Sequence, residues 1–182
     1  SSGNIYVTAS SSGRYRSSTS SSGNTDILLI KFDSDGEETW VKQFGTWAND
    51  HGSGLEVDSS DNIYVTGYVY ESLNGQTYYA DWGKADSFLV KYNTSGELQW
   101  TKQFGTSSND HAQGISVDST GNIYITGYTE GNLDGKTFQG GEYDNFLVKY
   151  DSSGTKKWTQ LFGTSEYENA LSVKADTSGI YV

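Results

Sequence analysis

Short stretches of alternating apolar and polar residues recur along the chain, and this pattern is typical of β-strands that bury one face. Residues 98–104 read Leu-Gln-Trp-Thr-Lys-Gln-Phe, and a tight turn of the Asn-Thr-Ser-Gly type precedes them at residues 93–96. No segment has the apolar spacing of a helix. In the middle of the chain the pattern predicts strands at residues 88–92, 98–104, 114–118 and 123–128.

The pattern returns with a period of about 60 residues, the mark of one supersecondary unit that is repeated. A segment that opens Asp-Ile-Leu-Leu-Ile-Lys-Phe at Asp26 and ends at Trp40 recurs at residues 86–100 and 144–158. The predicted organisation is a partial unit with a Ser-rich loop at 1–25, full repeats at 26–85 and 86–143, and a partial repeat at 144–182.

Four antiparallel strands per repeat predict a β-propeller blade, with an inner strand, a second, a third and an outer strand. In one blade these are residues 114–118, 123–128, 145–150 and 156–162. A solenoid of parallel strands is the alternative, but the short turns favour antiparallel neighbours. The chain holds about three to three and a half blades, fewer than a usual propeller. We therefore expect further blades of the same polypeptide, or other copies of the chain in a ring or filament.

Composition narrows the classes of partner. The net charge of −11 and the pI of about 4.4 argue against nucleic acid as a partner. No apolar run approaches the ~20 residues that span a bilayer, so we expect no membrane insertion. The chain has no cysteine, which excludes disulfides and thiol chemistry. Aromatic residues make up 14% of the chain and suit half-buried sheets.

One motif resembles a known family. The string Asp-Ser-Thr-Gly-Asn-Ile-Tyr-Ile-Thr-Gly at residues 118–127 follows Phe-Leu-Val-Lys-Tyr, Gly, Trp and Phe-Gly-Thr elements, and the whole is similar to the bacterial SBBP β-propeller repeat. The resemblance implies a propeller in bacterial surface or secreted proteins, with no shared reaction. A more distant similarity links the Gly-to-Trp spacing to quinoprotein-like and NHL-like blades, and it carries no cofactor site.

The outer strands each carry one tryptophan, at Trp40, Trp100 and Trp158. The expected role is packing between blades, because each ring buries a large apolar area. Stacking on a ligand is the alternative. We expect Trp100 to be largely buried.

Acidic residues precede the inner strands, within Asn-Asp-His at residues 49–51 and 109–111. Asp50, Asp110 and the matching Glu168 are candidates to ring a central channel and bind a cation such as Ca²⁺. The alternative is that they accept main-chain hydrogen bonds in a tight connection. Asn169 replaces histidine in the third copy, which excludes a symmetric histidine site. Residues 33–36 resemble part of a calcium loop, but turn chemistry explains them. No other cofactor is expected.

The loops between the second and third strands differ between copies, and loops on a rigid scaffold are where binding usually lies. Both contain a shared Leu-(Asn/Asp)-Gly-x-Thr-aromatic turn. The candidate ligand-binding aromatics are Trp47, Tyr78, Tyr79, Trp82, Phe138 and Tyr143. They suit stacking on glycans or on a protein partner; the alternative is that they cover the edge of their own blade. The Ser-rich loop at 9–23 is typical of a flexible linker.

These observations favour a non-enzymatic extracellular or cell-surface module that acts in structure and binding. A carbohydrate-binding propeller is the second hypothesis, and a quinoprotein-like or hydrolytic enzyme is the third. Catalysis finds little support, because both histidines sit at equivalent repeat positions and most carboxylates lie in turns.

Overall fold

The computed structural model describes residues 3–15 and 24–182, and its regular elements are nearly all β-strands. A 3-10 turn at Leu133–Gly135 is the single helical element in these ranges. No helix in the described part of the chain is long and apolar enough to cross a membrane. The strands are β1 (Ile5–Ser11), β2 (Asp26–Phe32), β3 (Glu38–Phe44), β4 (His51–Val57), β5 (Ile63–Val69), β6 (Asp86–Tyr92), β7 (Leu98–Phe104), β8 (Asp110–Val117), β9 (Ile123–Thr129), β10 (Asp144–Tyr150), β11 (Lys156–Phe162), β12 (Lys174–Asp176) and β13 (Gly179–Tyr181).

The strands form antiparallel sheets in which each strand pairs with its neighbour in the sequence. Strands β4 to β7 make the second blade, and β8 to β11 make the third blade. Strands β1 to β3 make a three-stranded first sheet, and β12 and β13 make a terminal hairpin. The all-β prediction of four-stranded antiparallel blades is confirmed. Residues 16–23, which form much of the predicted Ser-rich loop, lie outside the described residues.

The inner strand β8 begins at Asp110, four residues before the predicted start. The N–H of Asp110 donates to the carbonyl of Ala85 at 2.8 Å, and the N–H of Asp50 donates to Thr25 in the same way. These polar residues join the strand because their polar groups find partners inside the protein. The alternation of apolar and polar residues does not reveal such partners, so the prediction of a loop there was wrong.

The apolar core lies between neighbouring sheets. One cluster joins Leu89 and Phe104 of the second blade to Ile125 and Phe146 of the third. The two phenylalanine rings meet edge to face at 5.8 Å, and Phe44 meets Phe88 at 6.2 Å at the preceding junction. In β8, Ile115 is buried and Val117 is partly buried against the same cluster. Each blade therefore depends on its neighbour to cover its apolar face.

The tight turns are closed by acidic or amide side chains. In the β2–β3 turn, Asp33 Oδ1 accepts hydrogen bonds from the N–H groups of Asp35 and Glu37 at 2.9 and 3.0 Å. Asn93 and Asp151 do the same in the equivalent turns. These bonds support the turn interpretation of residues 33–36 over a calcium loop.

The outer-strand tryptophans pack at the blade junctions. Trp100 contacts the ring of Tyr64 in its own blade at 6.1 Å, and a Cβ on Gly154 of the third blade would lie 3.2 Å from its Cε2 atom. Trp40 packs on Gly96 with the same geometry. Both rings, like that of Trp158, are partly buried, whereas the sequence predicted a largely buried Trp100.

We expect Trp100→Ala to lower the free energy of unfolding by about 2–4 kcal/mol, somewhat less than for a completely buried aromatic ring. Urea titration followed by circular dichroism measures the change. The matched control is Trp82→Ala, because that side chain is fully exposed and should change stability by less than about 0.5 kcal/mol. Similar small losses in the two variants would show that Trp100 does not stabilise the junction.

Candidate functional site

A cleft of about 310 Å³ opens between the loop at residues 70–83 and the connection that enters β4. Its aromatic walls are Tyr70, Tyr78 and Trp82, and its polar lining includes Asn24, Asn49 and Glu71. Two of the six aromatics that the sequence suggested for ligand binding, Tyr78 and Trp82, thus meet in one place. Because one wall comes from a long loop and the other from a connection between sheets, the cleft exists only in the stacked fold.

The loop is held in place by one leucine and a short turn. Leu73 is fully buried, and its N–H donates to Oε1 of Gln103 in β7 at 2.9 Å. Asn74 takes a positive φ of 51° and donates its amide to Thr101 at 2.9 Å. Leu133 is buried in the same way in the next loop. The shared turn predicted from the sequence is present, and its leucine anchors it.

Hydrogen bonds fix the aromatic wall of the cleft. The Tyr78 hydroxyl donates to the carbonyl of Lys84 at 2.5 Å. Burial raises the pKa of Tyr78 to about 12, with the charges of Asp86 and Glu71 adding to the effect, so the ring stays neutral. On the opposite side, Glu71 Oε2 accepts the N–H of Trp47 at 3.3 Å. Trp47 therefore lies beside the cleft, with 77% of its surface exposed.

The other predicted aromatics lie elsewhere. Tyr79 lines a separate cleft of about 230 Å³ between the second and third blades, beside Lys102 and Lys156. Phe138 and Tyr143 belong to the next long loop. Tyr143 contacts the rings of Tyr128 at 4.5 Å and Tyr167 at 5.4 Å. The six candidates consequently do not form one binding surface.

The two histidines join a column of stacked rings. His51 contacts Tyr68 at 4.9 Å, and Tyr68 lies parallel to His111 at 3.9 Å. Nδ1 of His111 shares a hydrogen bond of 2.7 Å with the hydroxyl of Tyr128. Burial lowers the pKa of His111 to about 4, so this imidazole is neutral at physiological pH. The stacking gives His111 a packing role between the inner edges of the blades.

The three predicted cation ligands lie at separate junctions. Asp50, Asp110 and Glu168 each accept hydrogen bonds from the threonine four residues earlier, namely Thr46, Thr106 and Thr164. Within residues 3–15 and 24–182, no group of three or more His, Cys, Asp or Glu side chains is arranged to hold a metal ion. The prediction that these acids share one channel site was wrong, because each is drawn into its own tight connection.

Sequence reasoning missed the acids that open each repeat, Asp26, Asp86 and Asp144. All three are buried at the first position of a strand. A recurring aspartate directly before an apolar strand was the signal, since buried aspartates are rare without a partner. Tyr70, which also lines the cleft, carried no such signal because Glu130 stands at its position in the next repeat.

Stacked four-stranded antiparallel sheets with aromatic junctions define a β-propeller repeat protein. Residues 39–68 and 99–134 match the β-propeller repeat model of the SBBP family. Each matched stretch runs from an outer strand into the inner and second strands of the next blade. The resemblance seen in the sequence motif is confirmed.

Two further proteins are similar to this chain. The regulatory protein FlaEY of Caulobacter vibrioides is 29% identical over 171 residues, which cover 88% of this chain and 18% of FlaEY. An uncharacterized WD repeat-containing protein of Acanthamoeba polyphaga mimivirus is 29% identical over 168 residues, which cover 78% of this chain and 12% of that protein. The chain thus spans less than a fifth of the length of either relative.

Burial also links the protonation of Asp110, at a blade junction, to the stability of the fold. Burial raises the pKa of Asp110 to about 6, above its value in the unfolded chain. The folded state therefore binds the proton more tightly, and this group contributes stability at low pH that is lost as the pH rises through about 6.

We expect the stability of the wild-type protein, relative to Asp110→Asn, to increase by about 1–2 kcal/mol between about pH 7.5 and about pH 5. Urea titrations of both proteins at the two pH values measure this difference. His111 titrates in both proteins, so its opposite contribution cancels. A pH-independent difference would show that Asp110 is ionised throughout this range.

Proposed function

We propose that the chain is a non-enzymatic structural and binding module, in which stacked blades present the 70–83 loop to a protein partner. The observation that carries this proposal is the cleft walled by Tyr70, Tyr78 and Trp82. Trp82 is 100% exposed and Trp47 is 77% exposed, and neither contributes to the apolar clusters between the blades. Exposed tryptophan and tyrosine around a cleft are typical of the energetic centres of protein interfaces.

Variation between the two long loops supports a binding role. The shared turn fixes Tyr78 and Phe138 at equivalent positions, and the loops then diverge. Tyr79 is followed by Ala-Asp-Trp-Gly in the first loop, whereas Gln139 is followed by Gly-Gly-Glu in the second. Since the blades are otherwise alike, the extra aromatics are not required by the scaffold and are consistent with a ligand-specific surface.

Carbohydrate is the second candidate ligand, and the polar lining of the cleft favours it. The amides of Asn24 and Asn49 and the carboxylate of Glu71 lie beside the flat faces of the aromatic wall. Amides and carboxylates can exchange hydrogen bonds with sugar hydroxyls while a ring stacks on the apolar face of the sugar.

A non-enzymatic role is proposed from the positions of the reactive side chains. The chain has two histidines: His51 stacks on Tyr68, and His111 lies between the rings of Tyr68 and Tyr128. Many of its recurring carboxylates close turns or cap the tight connections. We propose an extracellular or cell-surface location on the family resemblance, and further blades as neighbours because propeller repeats stack on one another.

The test is to probe a displayed peptide library and a glycan array in parallel with the wild-type chain and two variants. We expect Trp82→Ala to weaken binding to the selected ligand at least about 10-fold, as for an interface hot spot. Tyr79→Ala is the matched control, because this exposed aromatic lines the other cleft and should leave the affinity within about 2-fold.

Selected peptides would support the protein-binding role, and selected glycans would support the carbohydrate-binding role. Binding that is unaffected by Trp82→Ala, or no binding in either format, would count against the cleft as the contact site.

A further inference from the structure

Two carboxylates face each other across a glycine at each blade junction. A Cβ built on Gly45 would lie 2.9 Å from Asp26 Oδ1 and 2.5 Å from Asp50 Oδ2. Asp86 and Asp110 flank Gly105 in the same way. At the third junction, a Cβ on Gly163 would lie 2.5 Å from Asp144 Oδ1 and 3.1 Å from Glu168 Oε2. None of these glycines has a positive φ, so the nearby carboxylates, not the backbone conformation, exclude a side chain there.

On the first acid of each pair, the oxygen that points into this gap lacks a hydrogen-bond partner. Asp26 is 2% exposed, Asp86 and Asp144 are 0% exposed, and Oδ1 of each is buried without a partner. Their other oxygens are bound: Asp26 Oδ2 accepts the amide of Gln43 at 2.8 Å, and Asp86 Oδ2 accepts the N–H of Tyr79 at 2.7 Å. A buried carboxylate oxygen without a partner is costly, and its repetition at each junction points to a missing ligand.

The second acid of each pair accepts hydrogen bonds that favour its ionised form. Asp110 accepts the N–H of Thr106 at 2.6 Å and its hydroxyl at 2.9 Å. No ion pair between described residues involves any of the six junction acids. Each junction therefore holds two facing carboxylates with no basic side chain to balance them, in a chain whose net charge is −11.

We propose that each blade junction binds a hard cation of the calcium class. Its carboxylate ligands are Asp26 with Asp50 at the first junction, Asp86 with Asp110 at the second, and Asp144 with Glu168 at the third. Carboxylate oxygens are the ligands that Ca²⁺ prefers, and water and main-chain carbonyls complete its coordination. The glycines are partly exposed, which leaves a route to the gap from solvent. The proposal does not depend on the cleft.

The third junction separates this role from simple packing. Leu161 stands there where the second junction has Gln103, and Asn169 stands where the second junction has His111. The acid pair persists although these neighbours change, and Glu168 Oε2 is itself buried without a partner. If the two acids bind one ligand together, we expect both acids to be kept in a repeat even where the residues around them change.

The competing explanation is a proton shared between the two acids. Burial raises the pKa of Asp50 and of Asp110 to about 6, and it also raises the pKa of Asp86, the acid that faces Asp110. A shared proton would then stabilise the junction in mild acid, whereas a cation would stabilise it at neutral and weakly alkaline pH.

The experiment compares thermal unfolding of the 182-residue chain at about pH 7.5 with EDTA and with millimolar CaCl₂, alongside calorimetric titration with CaCl₂. We expect saturable binding and a rise in Tm of about 5–10 °C at calcium concentrations about 100-fold above Kd. Asp26→Asn and Asp86→Asn should each remove one binding equivalent, and the double variant should lose most of the rise in Tm.

Asp33→Asn is the matched control. It makes the same chemical change in a turn where the next repeat already carries Asn93, and it should keep the full calcium response. Because the asparagine variants also relieve repulsion between the facing carboxylates, their Tm in EDTA should equal or exceed that of the wild-type protein. An equal Tm in EDTA and calcium with no binding heat, or a response that survives the double variant, would overturn the proposal. A Tm that rises only in mild acid would assign the pairs to a shared proton instead.

Discussion

Face-to-face packing of neighbouring sheets is the interaction on which the rest of the structure depends. One four-stranded sheet cannot cover its own apolar face, so each blade buries Phe88 or Phe146 against the phenylalanine of the sheet before it. The tryptophans extend the same contact outward, where Gly96 and Gly154 let Trp40 and Trp100 approach the turn of the next blade. A Cβ at either glycine would push the ring away, so the packing at the blade junction depends on the glycine in the turn.

Because stability comes from the junctions, the long loops can vary without loss of the fold. A single buried leucine, Leu73 or Leu133, ties each loop to its blade. Beyond that anchor the first loop places Trp82 in solvent, while the second directs Tyr143 into the stack of rings with Tyr128. Equivalent loops thus serve different ends on the same scaffold: one forms a wall of the cleft, and the other adds to the packing of the inner edge.

The junctions also bury carboxylates, so the stability of the fold depends on the state of these acids as well as on apolar packing. Capping by Thr46 and Thr106 fixes Asp50 and Asp110 where the chain turns into the inner strand. The same geometry brings each of them against an acid of the preceding sheet. The stability of each blade junction therefore depends on how the charge of the two facing carboxylates is neutralised. The net negative charge of the chain increases this dependence.

The sequence by itself determined most of the strands, the turns and the resemblance to the SBBP repeat, because these follow from local alternation, from residues such as Asp33 and Asn93 that close turns, and from a motif repeated along the chain. Only the tertiary structure decided which side chains meet. Asp26 faces Asp50 and Tyr78 shares a cleft with Asn49 because neighbouring sheets stack in one particular alignment. Alternation encodes which face of a strand is buried, but not which residue of the next blade lies opposite, so those pairs could not be predicted from the sequence.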